Sequence, residues 1–390
     1  MMPKSRITQI LLQIAVLLGL LLAPYYLSSY NLSLLGRFLA FAILALGLSL
    51  VWGQGGILCL GQGVFFGLGA YALAMHLKLA GLGPTDLPDF MVWSGLSHLP
   101  WWWKIFHSVG FSVVAVVLIP ALAAAGMAWL VFHRRVGGVY FALITQALAL
   151  AFATLLISQQ GYTGGFNGLT DFSTLLGFSV LDPKFGRALY WITVGLLAAS
   201  FWFLEWLLGS NFGKILRAIR DGENRVRFLG YNPVPFKVLV FAIGGALAGI
   251  SGALFTLHAG VISPAMVGVV PSIEMIAWVA VGGRESLVGA IAGTLLVNFG
   301  KNWVSSAMPS LWLFVMGLLF VLVVTVAPKG LSGLWNRDSW DWLRGAVSRR
   351  RPGGHTPSPT QNEPMPGQPG KQPPVGVPET AFPKTKLDEM

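Results

Sequence analysis

Polar side chains that interrupt apolar stretches are the first candidates for chemistry in this sequence. Glu274 lies in the apolar run after Pro271, and Gln54 and Gln62 belong to a glycine-rich stretch. A carboxylate inside a membrane-spanning segment is a functional-site hypothesis by default. Exposure at the membrane interface is the alternative for Glu274, because a loop boundary is only a few residues away. The two amides either line a path for a solute or lie on a face that packs tightly through its glycines.

A second group of neutral polar side chains lies in the stretch 158–187. Glycines alternate there with amides and hydroxyls, among them Thr163 and Asn167. Such donors and acceptors on a pliable backbone suit a small polar solute or contact with an extracytoplasmic partner. A flexible connector with turn residues is the alternative. The residues predicted to line a translocation path are Gln54, Gln62, Thr163, Asn167 and Glu274.

Motifs for enzyme chemistry are absent from the sequence. It contains no P-loop, no H-E-x-x-H and no G-x-S-x-G. The six histidines are scattered without metal-ligand spacing, and the single cysteine, Cys59, lies in an apolar run. Paired carboxylates, which a proton relay would need, do not recur within the apolar runs. We therefore predict no catalytic residue, no cofactor and no metal, and we expect that the chain is not an enzyme.

The elements that must position these residues are membrane helices. The chain has 390 residues, of which 55% are hydrophobic and 11% charged, against roughly 25% charged in soluble domains. Several apolar runs exceed the ~18 residues that span a bilayer. The sequence predicts an all-α, polytopic integral membrane protein of about ten transmembrane helices, some short or broken, with both termini cytoplasmic. The net charge of +11 falls in short loops and the tail, which indicates membrane orientation and lipid contact rather than nucleic-acid binding.

Changes in composition divide the chain into four regions. We expect an N-terminal span in residues 1–31 and a transmembrane domain in residues 32–334. A basic cytoplasmic segment, residues 335–351, follows. Residues 352–390 are rich in proline and have little to bury, so a disordered tail that is dispensable for folding is expected.

Residues 211–237, here called the docking segment, form the longest charged run before the tail. Its start has apolar residues at helical spacing and basic residues on the other face, which predicts a short amphipathic helix on a cytoplasmic loop. With nothing of its own to bury against, this helix is predicted to dock a soluble partner. An ordinary basic loop on lipid headgroups is the alternative. The predicted contact residues are Ile215, Leu216, Arg217, Ile219, Asp221, Glu223 and Gly230.

A membrane protein without a motor or ion-coupling carboxylates, but with a basic cytoplasmic helix, fits a permease driven by a separate subunit. Five stretches then resemble the permease subunits of ABC importers, in the family of the branched-chain amino acid and urea importers. The similarity is greatest to the second, larger permease of the urea importer. The five stretches are residues 60–72, 162–171, 212–233, 244–255 and 278–293.

The resemblance implies a complex in a bacterial cytoplasmic (inner) membrane. Its other members would be a second permease subunit, two cytoplasmic ATPase subunits and an extracytoplasmic solute-binding protein. The docking segment corresponds to the family's ATPase-coupling segment, with Glu223 and Gly230 where an acidic residue and a glycine are expected. Asn224 and Arg225 stand where the family has alanines.

Three functions remain open at the level of the sequence. The first is the permease of an ATP-driven urea importer, because amides and hydroxyls suit a small neutral solute. The second is a branched-chain amino acid permease, although a zwitterion asks for charged partners and few candidates other than Glu274 are visible. The third is a channel or carrier for a small polar solute that needs no ATPase.

Overall fold

The computed structural model describes most of the predicted transmembrane domain. Three predicted regions lie largely or wholly outside the described residues: the end of the transmembrane domain, the basic segment 335–351 and the proline-rich tail. The start of the N-terminal span also lies outside them. The described residues belong to one compact unit, Met1–Asp341. They are residues 18–83, 86–134, 138–172, 174–175, 177–180, 182–308, 314–315, 317–318, 321, 325 and 330–331.

Helices account for nearly all of the regular structure in this part of the chain. Helix α1 is described over residues 18–26. The long helices after it are α2 (Ser29–Leu48), α3 (Gln62–Leu79), α6 (Val109–His133), α7 (Val139–Ser158), α9 (Pro183–Gly209), α10 (Asn211–Phe228), α11 (Pro233–Ala259), α12 (Val269–Gly282) and α13 (Leu287–Ala307). Short helices are α4 (Asp89–Trp93), α5 (Trp101–Lys104) and α8 (Gln160–Thr163), with 3-10 turns at Ile105–His107, Gly165–Asn167 and Pro264–Met266.

Four short strands in the described part of the chain pair outside the helical core. Strand β1 (Leu169–Thr170) pairs antiparallel with β4 (Val261–Ile262). Strand β2 (Thr174–Leu175) pairs antiparallel with β3 (Phe178–Ser179). The first pair joins the polar stretch after α7 to the connection after α11, so two loops distant in sequence meet.

Six helical segments of the described chain are long and apolar enough to cross a membrane. Helices α3 and α13 add 18 and 21 residues to the bundle. These helices confirm the predicted class, an all-α polytopic membrane protein. The six segments are Ser29–Gln54, Val109–His133, Val139–Ser158, Pro183–Gly209, Pro233–Ala259 and Pro264–Gly282.

Helix α2 ends in a π-helical stretch, Ser49–Gln54, here called the π-turn. Single π-helical turns are rare and occur frequently at functional sites. The helices α12 and α13 are joined by residues 283–286, here called the α12–α13 turn. Gly283 opens this turn at a φ of 106°, a left-handed conformation that favours glycine.

Helix α11 lies at the centre of the bundle and packs against α6, α3 and α2. Glycines bring the backbones together, because a Cβ added to Gly252 would lie 2.0 Å from the Phe66 carbonyl oxygen. A Cβ on Gly69 would lie 2.3 Å from Gly249 in the same interface. The glycine-rich faces therefore pack helix against helix, as small-residue spacing predicts in membranes.

Replacing Gly252 by alanine tests this close approach. We expect Gly252→Ala to lower the free energy of unfolding by about 1–3 kcal/mol, because the backbones must separate to admit the methyl group. Reversible unfolding in detergent micelles measures the change. Gly195→Ala is the matched control, because no atom of the described residues lies within 4 Å of a Cβ placed on Gly195 in α9. The control should be neutral or stabilising by up to about 1 kcal/mol. Equal losses in both variants would contradict the packing argument.

Candidate functional site

The docking segment folds largely as its sequence predicts. Helix α10 follows directly on α9, and the chain kinks at Gly222 between two helical halves. Asn232 caps the next helix by accepting a hydrogen bond from the Val234 amide at 3.1 Å. The segment therefore joins two membrane-spanning helices as a bent helical arm.

The apolar face of the first half is buried within this chain, and the expectation that it has nothing of its own to bury against is wrong. Leu216 is 0% exposed and Ile219 is 2% exposed, whereas Ile215 is half-buried. Helix α10 packs against α9, α11 and the π-turn. These side chains anchor the arm, so the residues free to meet a partner lie elsewhere on it.

Arg220 ties the first half of α10 to the end of α2. Its Nη1 donates a 2.7 Å hydrogen bond to the carbonyl oxygen of Gly53 and lies 3.4 Å from Glu285 Oε1. Its Nε donates to Asp221 Oδ1 at 2.9 Å. Gly56, at a φ of 69°, gives the Arg220 side chain its space, since a Cβ there would lie 2.8 Å from Arg220 Cγ. One guanidinium thus joins three separate chain segments.

The π-turn and the α12–α13 turn are also bonded to each other. Ser49 Oγ donates to the Arg284 carbonyl oxygen at 2.8 Å, and Gln54 Nε2 donates to the Glu285 carbonyl oxygen at 2.9 Å. Gly53 permits the contact, because a Cβ there would lie 1.8 Å from the Arg284 oxygen. We call these residues and Arg220 the Arg220 junction. Gln54, predicted to line a path, is placed in this junction.

Glu223 fixes the second half of α10 to the start of α11. Its carboxylate accepts hydrogen bonds from Arg227 Nη2 at 2.7 Å and from Lys237 Nζ. Burial raises the pKa of Glu223, but the hydrogen bonds and charges of Lys237 and Arg227 outweigh it and hold the pKa below its usual range. At a pH above the usual pKa range of glutamate, these ion pairs therefore stabilise the arm. Their contribution is lost as the pH falls through the lowered pKa. Arg217 donates to the Leu208 carbonyl oxygen at 3.3 Å.

The most exposed apolar residues of the arm lie at its far end. Phe228 is 92% exposed and Leu229 is 76% exposed, and Gly230 follows at a φ of 88°. The docking prediction did not include Phe228 or Leu229. Their position immediately before a Gly and an Asn-Pro stop was the available signal.

Glu274 lines a cavity of about 450 Å³, which is the second candidate site. It is buried and forms an ion pair with Lys301 Nζ at 2.6 Å. Arg37 also lines the cavity, and its Nε is buried without a hydrogen-bond partner among the described residues. Asn298 and Asn302 add amides to the lining. Glu274 is therefore buried and paired rather than simply exposed. We call this space the charged cavity.

Aromatic rings form the apolar wall of the charged cavity. The Phe41 ring lies 5.0 Å from that of Phe255 and 4.8 Å from that of Trp278. Phe66 and Phe255 pack at 5.5 Å. The cavity therefore offers charged groups and an apolar surface to one occupant.

The five residues predicted for a path are not gathered at one place. Gln62 is buried and donates to the Gly244 carbonyl oxygen at 3.3 Å. Thr163 is buried and donates to the Leu156 carbonyl oxygen at 2.6 Å, whereas Asn167 is exposed. Their role in a path stays a prediction.

Sequence reasoning missed Lys301 as the ion-pair partner of Glu274 and Arg37 as a further charged residue of the same cavity. The three residues lie on α2, α13 and α12, so their meeting depends on the packing of helices distant in sequence. Arg37 was the available signal, because a charged residue inside a long apolar run is rare in membrane helices.

A helical membrane bundle with a charged cavity and an anchored, partly exposed arm is typical of a membrane transport protein. The family described as "Branched-chain amino acid transport system / permease component" matches residues 30–324. The chain belongs to this family of transport permeases.

Curated relatives agree with the family. The chain is 26% identical to the high-affinity branched-chain amino acid transport system permease protein LivM of Salmonella typhimurium, over 84% of this chain and 76% of the relative. The LivM protein of Escherichia coli K12 gives the same three values. Protein BraD of Pseudomonas aeruginosa, a permease of the same kind of system, is 22% identical over 75% of this chain and 91% of its own length. No solved structure matches the chain significantly.

Removing the Arg220 guanidinium tests the junction. We expect Arg220→Ala to raise amide hydrogen exchange in the π-turn and the first half of α10 about tenfold, because a hydrogen bond from a charged group contributes about 1.5–3 kcal/mol. Hydrogen–deuterium exchange with mass spectrometry measures this. Arg225→Ala, an exposed position on the same arm, should leave exchange unchanged. Unchanged protection in Arg220→Ala would show that the junction does not hold the arm.

Proposed function

We propose that this chain is the permease subunit of an ATP-driven importer in a bacterial cytoplasmic membrane. Its partners are a second permease subunit, two cytoplasmic ATPase subunits and an extracytoplasmic solute-binding protein, and ATP is hydrolysed on the partner chains. Membership of the permease family supports this proposal. The arm and both termini lie on the cytoplasmic side, in line with the basic residues of the docking segment.

The observation that carries the proposal is the construction of the arm. The apolar face of its first half is buried, and Arg220 bonds that half to the π-turn and the α12–α13 turn. Phe228 and Leu229, in contrast, are exposed at its far end. A large exposed aromatic beside a leucine is the kind of anchor that a protein groove buries. A partner that moves this end displaces helix α10, whose first half is bonded to the ends of two transmembrane helices. Lipid headgroups, in contrast, would need only the basic residues.

We propose a branched-chain amino acid as the solute. The relatives named above are branched-chain amino acid permeases, which favours this alternative over the urea predicted from the sequence. Urea remains the second candidate, on the strength of the neutral polar groups Thr163 and Asn167.

The exposed end of the arm gives a direct test of ATPase docking. We expect the double substitution Phe228→Ser and Leu229→Ser to insert normally and to lower ATPase capture in a pull-down at least tenfold, because a buried hot-spot side chain contributes about 2 kcal/mol or more. Phe178→Ser is the matched control, since Phe178 is an exposed aromatic on β3. A double variant that retains the ATPase and its stimulated hydrolysis would place the docking surface elsewhere.

The requirement for a motor separates an importer from a channel or carrier. We expect uptake in proteoliposomes only when the ATPase subunits and ATP are present, because the sequence carries no motor motif of its own. The comparison is radiolabelled solute uptake with ATP, without ATP and with this chain alone. ATP-independent uptake by this chain alone would favour the channel or carrier.

A further inference from the structure

The charged cavity brings together three ionic side chains from three helices. Arg37 lies on α2, Glu274 on α12 and Lys301 on α13, and all three line the same space. Charges at membrane depth are rare and usually face a bundle interior or a cavity. Two of the three are cationic, so these side chains together carry one excess positive charge. The buried Nε of Arg37 still has a proton to donate.

We propose that the charged cavity binds a zwitterionic α-amino acid with an apolar side chain. Arg37 and Lys301 receive the carboxylate, Glu274 receives the ammonium group, and the aromatic wall receives the side chain. The inference rests on the proposed function, since it identifies where the transported solute sits within this chain. It assigns binding roles to Arg37 and Lys301, which the predicted path did not contain.

The ionic groups match both ends of a zwitterion. An amino acid replaces the Glu274–Lys301 ion pair, 2.6 Å long in the structure, with two new pairs, so no charge is left buried without a partner. The guanidinium of Arg37 offers donors in a fork that matches a carboxylate. A neutral amide such as urea could not neutralise the cations once the pair opened. The charges therefore favour a zwitterion over urea.

The remaining lining matches an aliphatic side chain. The Phe41 ring lies 5.0 Å from that of Phe255 and 4.8 Å from that of Trp278, and Met275 adds a further apolar group. A volume of about 450 Å³ lies within the range of small-molecule sites. Urea has no apolar part to place against these rings, and burying its polar edges there would be unfavourable.

The position of the cavity links it to the docking arm. Arg37 lies twelve residues before Ser49 on α2, or ~18 Å along the helix axis at 1.5 Å per residue. Glu274 lies on α12, which ends at the α12–α13 turn. Two walls of the cavity are thus helices whose far ends meet in the Arg220 junction. A push on the arm acts on the same helices that hold the solute.

The test measures ligand binding to the permease complex directly, so the specificity of a solute-binding protein does not affect the result. The permease complex is purified in detergent, and its melting temperature is recorded with millimolar L-leucine, 4-methylpentanoate, isopentylamine or urea. We expect stabilisation by L-leucine and little by the other three, since each lacks one or more of the required groups. Equal stabilisation by 4-methylpentanoate would overturn the role of Glu274. Stabilisation by urea alone, or by none of the four, would overturn the zwitterion site.

Variants locate the binding to this cavity. Glu274→Gln alone leaves Lys301 without its carboxylate and could misfold, so it is compared with the double variant Glu274→Gln and Lys301→Met, which removes the pair together. We expect the double variant to raise the half-saturating L-leucine concentration at least tenfold. Glu205→Gln, an exposed carboxylate near the end of α9, is the control.

The outcomes separate this inference from the proposed function. If the double variant keeps its ATPase in a pull-down and binds L-leucine as the wild type does, the cavity is not the site, while the importer function stands. If the wild type does not capture an ATPase at all, the proposed function fails, whatever the ligand data show.

Discussion

The hydrogen bonds of Arg220 are the interaction that joins the helical arm to the ends of two membrane helices. Buried carbonyl groups that are released where a helix distorts must find hydrogen-bond donors in other parts of the protein. The π-turn is such a distortion. Arg220 satisfies Gly53, while Ser49 and Gln54 satisfy the carbonyls of the α12–α13 turn. The same bonds that complete the backbone pairing therefore join the arm to two membrane helices.

Glycine makes this junction and the bundle around it possible. Side chains at Gly53 or Gly252 would overlap neighbouring backbone atoms, so the helices could not approach to hydrogen-bonding or close van der Waals distance. In membranes, where apolar burial gives no net drive between helices, close packing and hydrogen bonds must supply the stability. The glycine-rich stretches of the sequence thus support both the packing of α3 on α11 and the bonding at the π-turn.

Composition and hydropathy sufficed to predict a polytopic helical membrane protein, and periodicity sufficed to predict the helix of the docking segment. The burial of Leu216 and Ile219 could not be predicted, because an amphipathic pattern shows that one face is apolar but not what covers it. The surroundings of Glu274 were missed for a related reason. Lys301 pairs with it, and Arg37 lines the same cavity, only through the packing of α2, α12 and α13, which no local pattern encodes. The sequence does predict the properties of single segments, such as their length and their apolar character, because these properties are local.

The charged cavity and the Arg220 junction share two helices. Helices α2 and α12 carry charged-cavity residues along their length and meet the Arg220 junction at their ends. A helix transmits displacement well along its axis because its backbone bonds make it stiff, and close glycine contacts limit independent motion of its neighbours. A shift of the arm therefore changes the distance between Arg37 and Glu274 only if α2 and α12 move relative to each other. The π-turn, where α2 departs from regular α-helix, is the position at which such a difference between the two helices can arise.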